Sequence, residues 1–236
     1  MHAMKFSVIA AAIVCAVPVL AEDHLEPERS VLGGDTWLQG YDDIVVGVLK
    51  DAYSREVVAR MVVLPSSQPE YAVGVSKTGD RYAIFVVGAT IPLSNYEALS
   101  NMENARDEKG NPVRDDKSIA ELRKMLPTDW HDVKVNRCAV AIDAPLGERL
   151  VDVWGKMLMQ TRYPEPEENE TVRIDGVDFH FYSYGKAGQT WSPTGRKAGT
   201  FVDVGNAMAA YCDEKGKHEL ATLNAKVDDL LAQLKP

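Results

Sequence analysis

Four side chains in the C-terminal third of the chain occur at every second position, a spacing that could bring together groups for acid/base catalysis or metal binding. Asp178, His180, Tyr182 and Tyr184 alternate with Phe179, Phe181 and Ser183. In a strand, alternate residues project from the same face, with Cβ atoms roughly 7 Å apart. Asp178 and His180 are therefore a candidate acid/base pair or two candidate metal ligands. The alternative, which the pattern favours, is a solvated polar sheet face that carries aromatic tips.

A metal site would need at least one more ligand. The remaining candidates His24, His131 and His218 have no metal-motif spacing. The chain also lacks a GxSxG elbow, a phosphate-binding P-loop, an HExxH helix and an EF-hand loop. The sequence therefore predicts no catalytic residue, metal ligand or cofactor beyond the Asp178 and His180 pair.

Two aromatic segments are candidate binding residues. Trp130-His131 and Trp191-Ser192-Pro193 are interpreted as loops, and exposed aromatic residues on loops anchor protein partners or stack on glycans. The alternative is that each tryptophan covers an edge of the core.

Hydrophobic periodicity predicts an α+β fold, in which antiparallel meander and hairpin strands pack with several amphipathic helices. The meander comprises Val57–Leu64, Glu70–Ser76 and Arg81–Gly88. Asp175-Gly176 is typical of a two-residue hairpin turn, which would join Thr171–Ile174 to Val177–Tyr184. Val133–Ile142 has apolar residues on both faces and is predicted to be a central strand.

Helical spacing is found in six segments: 41–53, 94–103, 118–126, 145–161, 200–212 and 220–234. The last contains a narrow leucine seam that would either dock on its own domain or pair with a second copy. Residues 22–40 are polar and predict a loosely held entry segment, followed by a single domain over 41–236.

The N-terminus predicts export. Lys5 precedes an apolar run from Phe6 to Leu20, which ends at the small residue Ala21. This layout is typical of a cleaved signal peptide over 1–21 and predicts a periplasmic or secreted chain without a membrane span. Cleavage removes Cys15, and the two remaining cysteines, Cys138 and Cys212, are predicted to form a disulfide in an oxidising compartment.

Charge excludes one class of partner. The chain has 26 Lys and Arg against 35 Asp and Glu, a net charge of −9, which argues against nucleic-acid binding. The preferred hypothesis is an exported, non-enzymatic binding protein, in the manner of an inhibitor or immunity protein, whose partner is an envelope protein. The alternative is an envelope hydrolase or metal-dependent enzyme that uses Asp178 and His180. Neither the partner's identity nor the oligomeric state follows from the sequence.

Overall fold

The computed structural model describes residues 24–28, 39–163, 176–193, 196–213 and 220–235. The signal peptide over 1–21, the acidic stretch 164–170 and the strand expected at Thr171–Ile174 lie outside these residues. The helices are α1 (Gln39–Val48), α2 (Ser94–Asn104), α3 (Asp116–Met125), α4 (Ala144–Leu158), α5 (Arg196–Asp213) and α6 (Leu220–Gln233). Short 3₁₀ helices occur at Lys50–Tyr53 and Trp130–Asp132.

Within these ranges, six strands form one antiparallel sheet, which together with the helices confirms the α+β class. They are β1 (Val57–Pro65), β2 (Tyr71–Thr78), β3 (Arg81–Ala89), β4 (Val135–Ile142), β5 (Val177–Ser183) and β6 (Lys186–Trp191). Their order across the sheet is β4-β3-β2-β1-β5-β6. The predicted meander is confirmed as β1 to β3, and Gly79, with φ of 61°, lies in the turn between β2 and β3.

The second hairpin of the described residues begins with β5 and ends with β6. Strand β5 pairs with β6, and Tyr184-Gly185 forms the two-residue turn between them. Both turn residues have positive φ, 47° and 77°, as a type I′ turn requires. Tyr184 therefore occupies the turn instead of the strand face, and Trp191 ends β6 instead of lying in a loop. Apart from Gly176, the turn predicted at Asp175-Gly176 and the strand before it lie outside the described residues.

Strand β4 is an edge strand, so its predicted central position is wrong. Among the described strands it pairs only with β3, and its side chains alternate between partly buried and exposed along most of its length. The apolar residues after Cys138 are small or half-exposed. The disulfide ties this edge of the sheet to the end of α5.

Each face of the sheet has its own apolar core. On the helical face, Met61, Ile84 and Phe181 pack against Trp154 of α4 and Phe201 of α5. The opposite face also carries the buried polar residues Arg60 and His180, and we call it the polar face. Its apolar core consists of residues such as Val62, Phe85 and Val87, which pack under α1 and the residues that precede α2. Side chains alternate between the two faces along β1. Ala59 and Met61 lie on the helical face, and Arg60, between them in the sequence, therefore lies on the polar face.

Residues 24–28 are hydrogen-bonded to the sheet and packed on the core. The sequence predicts a loosely held entry segment over 22–40, and these five residues differ from that prediction. Glu26 and Gln189 exchange two backbone hydrogen bonds of 2.8 Å at the outer edge of β6. Leu25 is fully buried in the helical-face core. A single apolar residue among polar neighbours has no periodicity, so the sequence contained no signal for this contact.

Helix α6 docks on its own domain, which was the first of the two expectations for its leucine seam. Leu223, Val227 and Leu230 are fully buried in the helical-face core. The predicted disulfide is confirmed: Cys138 and Cys212 are joined, with Cα atoms 5.9 Å apart. Within the described ranges, none of the helices combines the length and apolar character needed to span a membrane.

Candidate functional site

His180 and Tyr182 lie on the polar face, as their alternation predicts, but this face is not solvated. Register places Tyr182 opposite Arg60 and His180 opposite Val62 on β1. His180 is only 4% exposed, Glu28 of the N-terminal segment contacts it, and Asp42 of α1 interacts with it electrostatically. The expectation of a solvated polar face is therefore wrong around His180.

The carboxylate that contacts His180 is that of Glu28. Its Oε1 lies 3.3 Å from Nδ1 of His180, and the two side chains are 15% and 5% exposed. Asp178 lies farther along β5, opposite Leu64 and Trp191, and has contacts of its own. The histidine therefore has an acidic neighbour, supplied by the N-terminal segment.

Arg60 lies on the same face as His180. It pairs with Tyr182, and the next pair of residues on this face is Val62 with His180. Arg60 is 8% exposed, and its Cζ lies 4.3 Å from the ring centroids of both Tyr53 and Tyr182. Such contacts stabilise a guanidinium through the negative face of each ring. Burial lowers the pKa of Arg60, while Tyr53 and Glu28 oppose this effect.

Arg60 is unusual because aromatic rings, and not acceptors, surround its charge. Within the part of the chain that the structure describes, its guanidinium forms no hydrogen bond and no ion pair. A guanidinium carries five N–H donors in a planar fork that matches a carboxylate or a phosphate. The donors of Arg60 thus have no acceptor among the described residues.

Two further polar groups complete this region. Asp42, in the first turn of α1, has its pKa raised to about 6, mainly by burial; His180 lowers it and Glu28 raises it. Burial likewise raises the pKa of Tyr53 to about 12, and the Tyr53 hydroxyl is buried without a hydrogen-bond partner among the described residues. Nδ1 of His180 also lacks a hydrogen bond there, since its contact with Glu28 does not have hydrogen-bond geometry.

We call this set of six residues the Arg60 cluster: Glu28, Asp42, Tyr53, Arg60, His180 and Tyr182. Arg60 and His180 form its buried floor, and the other four are partly exposed and form its rim. Buried polar groups are normally hydrogen-bonded, so a concentration of unpartnered ones is typical of a functional site.

The other predicted binding residues lie elsewhere. Trp130 packs over α1, where a Cβ on Gly47 would come within 2.3 Å of its ring, and it stacks on His131 at 3.6 Å. It thus covers an edge of the polar-face core. His131 is exposed and contacts Asp129 at 2.6 Å. Tyr184 is 65% exposed in its turn.

Trp191 lies at the end of the edge strand β6, close to Gly176. The structure therefore brings together His180 and Tyr182, and separates them from the Trp130-His131 segment and from Tyr184. Among the described residues, no group of three or more His, Cys, Asp or Glu side chains is arranged to hold a metal ion.

Arg60 is the member of the site that a sequence signal could have revealed. It is a charged residue inside the apolar run Val57–Leu64, and Arg is almost never fully buried without a partner. Glu28, Asp42 and Tyr53 come from other elements, and nothing in their local sequence indicates that they meet Arg60.

Comparison with protein-family models, curated proteins and solved structures finds no significant match to this chain.

Proposed function

We propose that the chain is an exported, non-enzymatic binding protein whose partner is an envelope protein, as an inhibitor or immunity protein would be. Export is supported by the signal-peptide layout of residues 1–21 and by the Cys138–Cys212 disulfide. We further propose that the chain resides in the periplasm and that its partner there is a protein.

The observation that carries the binding role is the environment of Arg60. Its charge is nine-tenths buried, two tyrosine rings lie against it, and it has no acceptor within the described residues. Arginine and tyrosine are enriched among the residues that dominate binding energy at protein interfaces. A preformed arginine and tyrosine pair loses little side-chain entropy when a partner binds.

Site-specific photo-cross-linking tests this proposal. A photoreactive residue at Asp43, which is exposed beside Asp42 on α1, reports on the rim of the cluster; the same residue at the exposed Glu121 of α3 is the control. In a periplasmic extract, we expect an adduct with one protein from position 43 and not from position 121. Arg60→Lys should reduce that adduct about tenfold, because lysine lacks the planar fork.

Equal adducts from both positions, or adducts that Arg60→Lys leaves unchanged, would contradict the binding role. Intact mass of the same periplasmic protein tests export, since we expect cleavage after Ala21 and a mass lower by two hydrogen atoms for the disulfide.

The second candidate is an envelope hydrolase or metal-dependent enzyme that uses Asp178 and His180. One observation favours acid/base chemistry at His180, namely its 3.3 Å contact with Glu28. In this version Glu28, not Asp178, is the acidic group beside the histidine. Stoichiometric bound metal in the purified protein, or hydrolysis that is lost in both His180→Gln and Glu28→Gln, would favour the enzyme over the binding protein.

A further inference from the structure

We propose that the Arg60 cluster binds a carboxylate group of its ligand, with the guanidinium of Arg60 as the donor. This inference builds on the proposed function and specifies the chemistry that the site recognises. It follows from the position of Arg60, from its neighbours and from the charges on the rim.

The position of Arg60 leaves its donors for a ligand. Its aliphatic stem lies on the sheet in β1, and Tyr182 lies opposite it on β5. Tyr53 approaches from the 3₁₀ helix Lys50–Tyr53, so rings from two elements hold the guanidinium. Neither ring can accept a strong hydrogen bond from the N–H groups, which are left for an external acceptor.

The neighbours add two unpartnered polar atoms. The Tyr53 hydroxyl and Nδ1 of His180 are buried and have no hydrogen-bond partner in the described ranges. Because an unpaired buried polar group costs about 1–3 kcal/mol, a ligand oxygen that reached them would bring a gain beyond the arginine contact.

The rim charges favour a carboxylate over a phosphate. Glu28 and Asp42 place two acidic groups beside Arg60 and His180, and repulsion grows with the charge of an incoming anion. A carboxylate carries a single charge and is planar, so it matches the guanidinium fork with the least repulsion. The source of the carboxylate is either an acidic polypeptide or a small organic acid.

The test measures binding of defined anions to the mature protein by NMR of arginine side-chain N–H groups at constant ionic strength. The probes are sodium acetate, sodium succinate, inorganic phosphate, and a glutamate-containing peptide compared with its glutamine equivalent. We expect a saturable shift of the Arg60 signal with acetate, while the signal of the exposed Arg81 of β3 does not move.

Two substitutions should change acetate affinity in opposite directions. Arg60→Lys should weaken it about tenfold, whereas Glu28→Gln should tighten it roughly fivefold by removing a nearby negative charge. Glu28→Gln also guards against misfolding of the Arg60 variant, since a gain in affinity cannot arise from unfolding. Arg81→Lys is the matched control and should leave the affinity unchanged.

A glutamate peptide that binds at least tenfold tighter than acetate would identify a polypeptide source; equal or tighter binding of succinate would identify a small acid. The inference is overturned by the absence of saturable binding in both wild type and Glu28→Gln, or by phosphate binding tighter than every carboxylate. The protein could bind no carboxylate and still form cross-linked adducts that depend on Arg60. That result would leave the proposed function intact and overturn this inference alone.

Discussion

At the scale of single residues, the polar face concentrates ionisable groups where water is scarce. Asp42 is the clearest example, because burial raises its pKa from 3.8 to about 6. The folded protein therefore binds this proton more tightly than the unfolded chain does. The resulting stabilisation is fully present below about pH 4 and is lost as the pH rises through about 6.

Asp42→Asn should consequently stabilise the protein at high pH only. A shift of roughly two pKa units corresponds to about 3 kcal/mol, which we reduce to about 1 kcal/mol because Asp42 is partly exposed. We expect the free energy of unfolding to rise by about that amount at pH 8 and to change little at pH 4. Urea denaturation at both pH values measures this.

The exposed neighbour Asp43 gives the matched control, since Asp43→Asn should have little effect at either pH. An equal gain from Asp42→Asn at both pH values would show that ionisation of this carboxyl is not the cause.

The candidate site was partly predictable at this scale. Strand alternation placed His180 and Tyr182 on one face because the period of a strand is fixed by its backbone. Glu28 could not be predicted as the acidic neighbour of His180, because the contact depends on how residues 24–28 dock at the edge of β6. Arg60 was missed although its place inside an apolar strand was visible.

At the scale of elements, one buried carboxylate positions two helices over the polar face. Glu70 is fully buried just before β2. It accepts hydrogen bonds from the Tyr41 hydroxyl of α1 at 2.7 Å, and from the backbone N–H groups of Leu93 at 2.6 Å and Ser94 at 3.0 Å. It thus caps α2 and holds α1, which carries Asp42.

Glu70→Ala should destabilise the protein by about 3 kcal/mol, because it leaves three donors without an acceptor, one of them buried and two half-buried. Tyr41→Phe removes only one of these hydrogen bonds and should cost about 1 kcal/mol. Urea denaturation of both variants measures the difference. Equal costs would mean that the N–H groups of α2 find another acceptor and that Glu70 is not the cap.

Element prediction succeeded where the local pattern was unambiguous. The meander and α4 have strong periodicity and clear ends, such as Asp143, which accepts a hydrogen bond from the Leu146 N–H. The hairpin of β5 with β6 was not predicted, because strand alternation assigns Tyr184 to the strand face and not to a turn with Gly185. The turn that forms is set by the pairing of β5 with β1 and β6, which no local signal reports.

At the scale of the whole molecule, the disulfide joins the exposed edge of the sheet to the helical layer. Cys138 on β4 and Cys212 near the end of α5 are separated by 74 residues. In the chain-entropy description, closing a loop of that length stabilises a fold by about 4 kcal/mol. Replacing both cysteines by serine should lower the free energy of unfolding by about that amount, as measured by urea denaturation.

The double replacement should leave carboxylate binding intact, because Cys212 lies on the helical face and the Arg60 cluster on the polar face. A loss of stability below about 1 kcal/mol, or a parallel loss of acetate binding, would contradict this division of the molecule.

The central claim is that the Arg60 guanidinium is held by aromatic rings and keeps its donors for a ligand. Proton exchange of its N–H groups, measured by NMR with and without sodium acetate, tests this most directly. The account predicts that acetate slows exchange at Arg60 and leaves exchange at the exposed Arg81 unchanged. Exchange at Arg60 that acetate does not alter would show that no carboxylate oxygen reaches these donors and would contradict the claim.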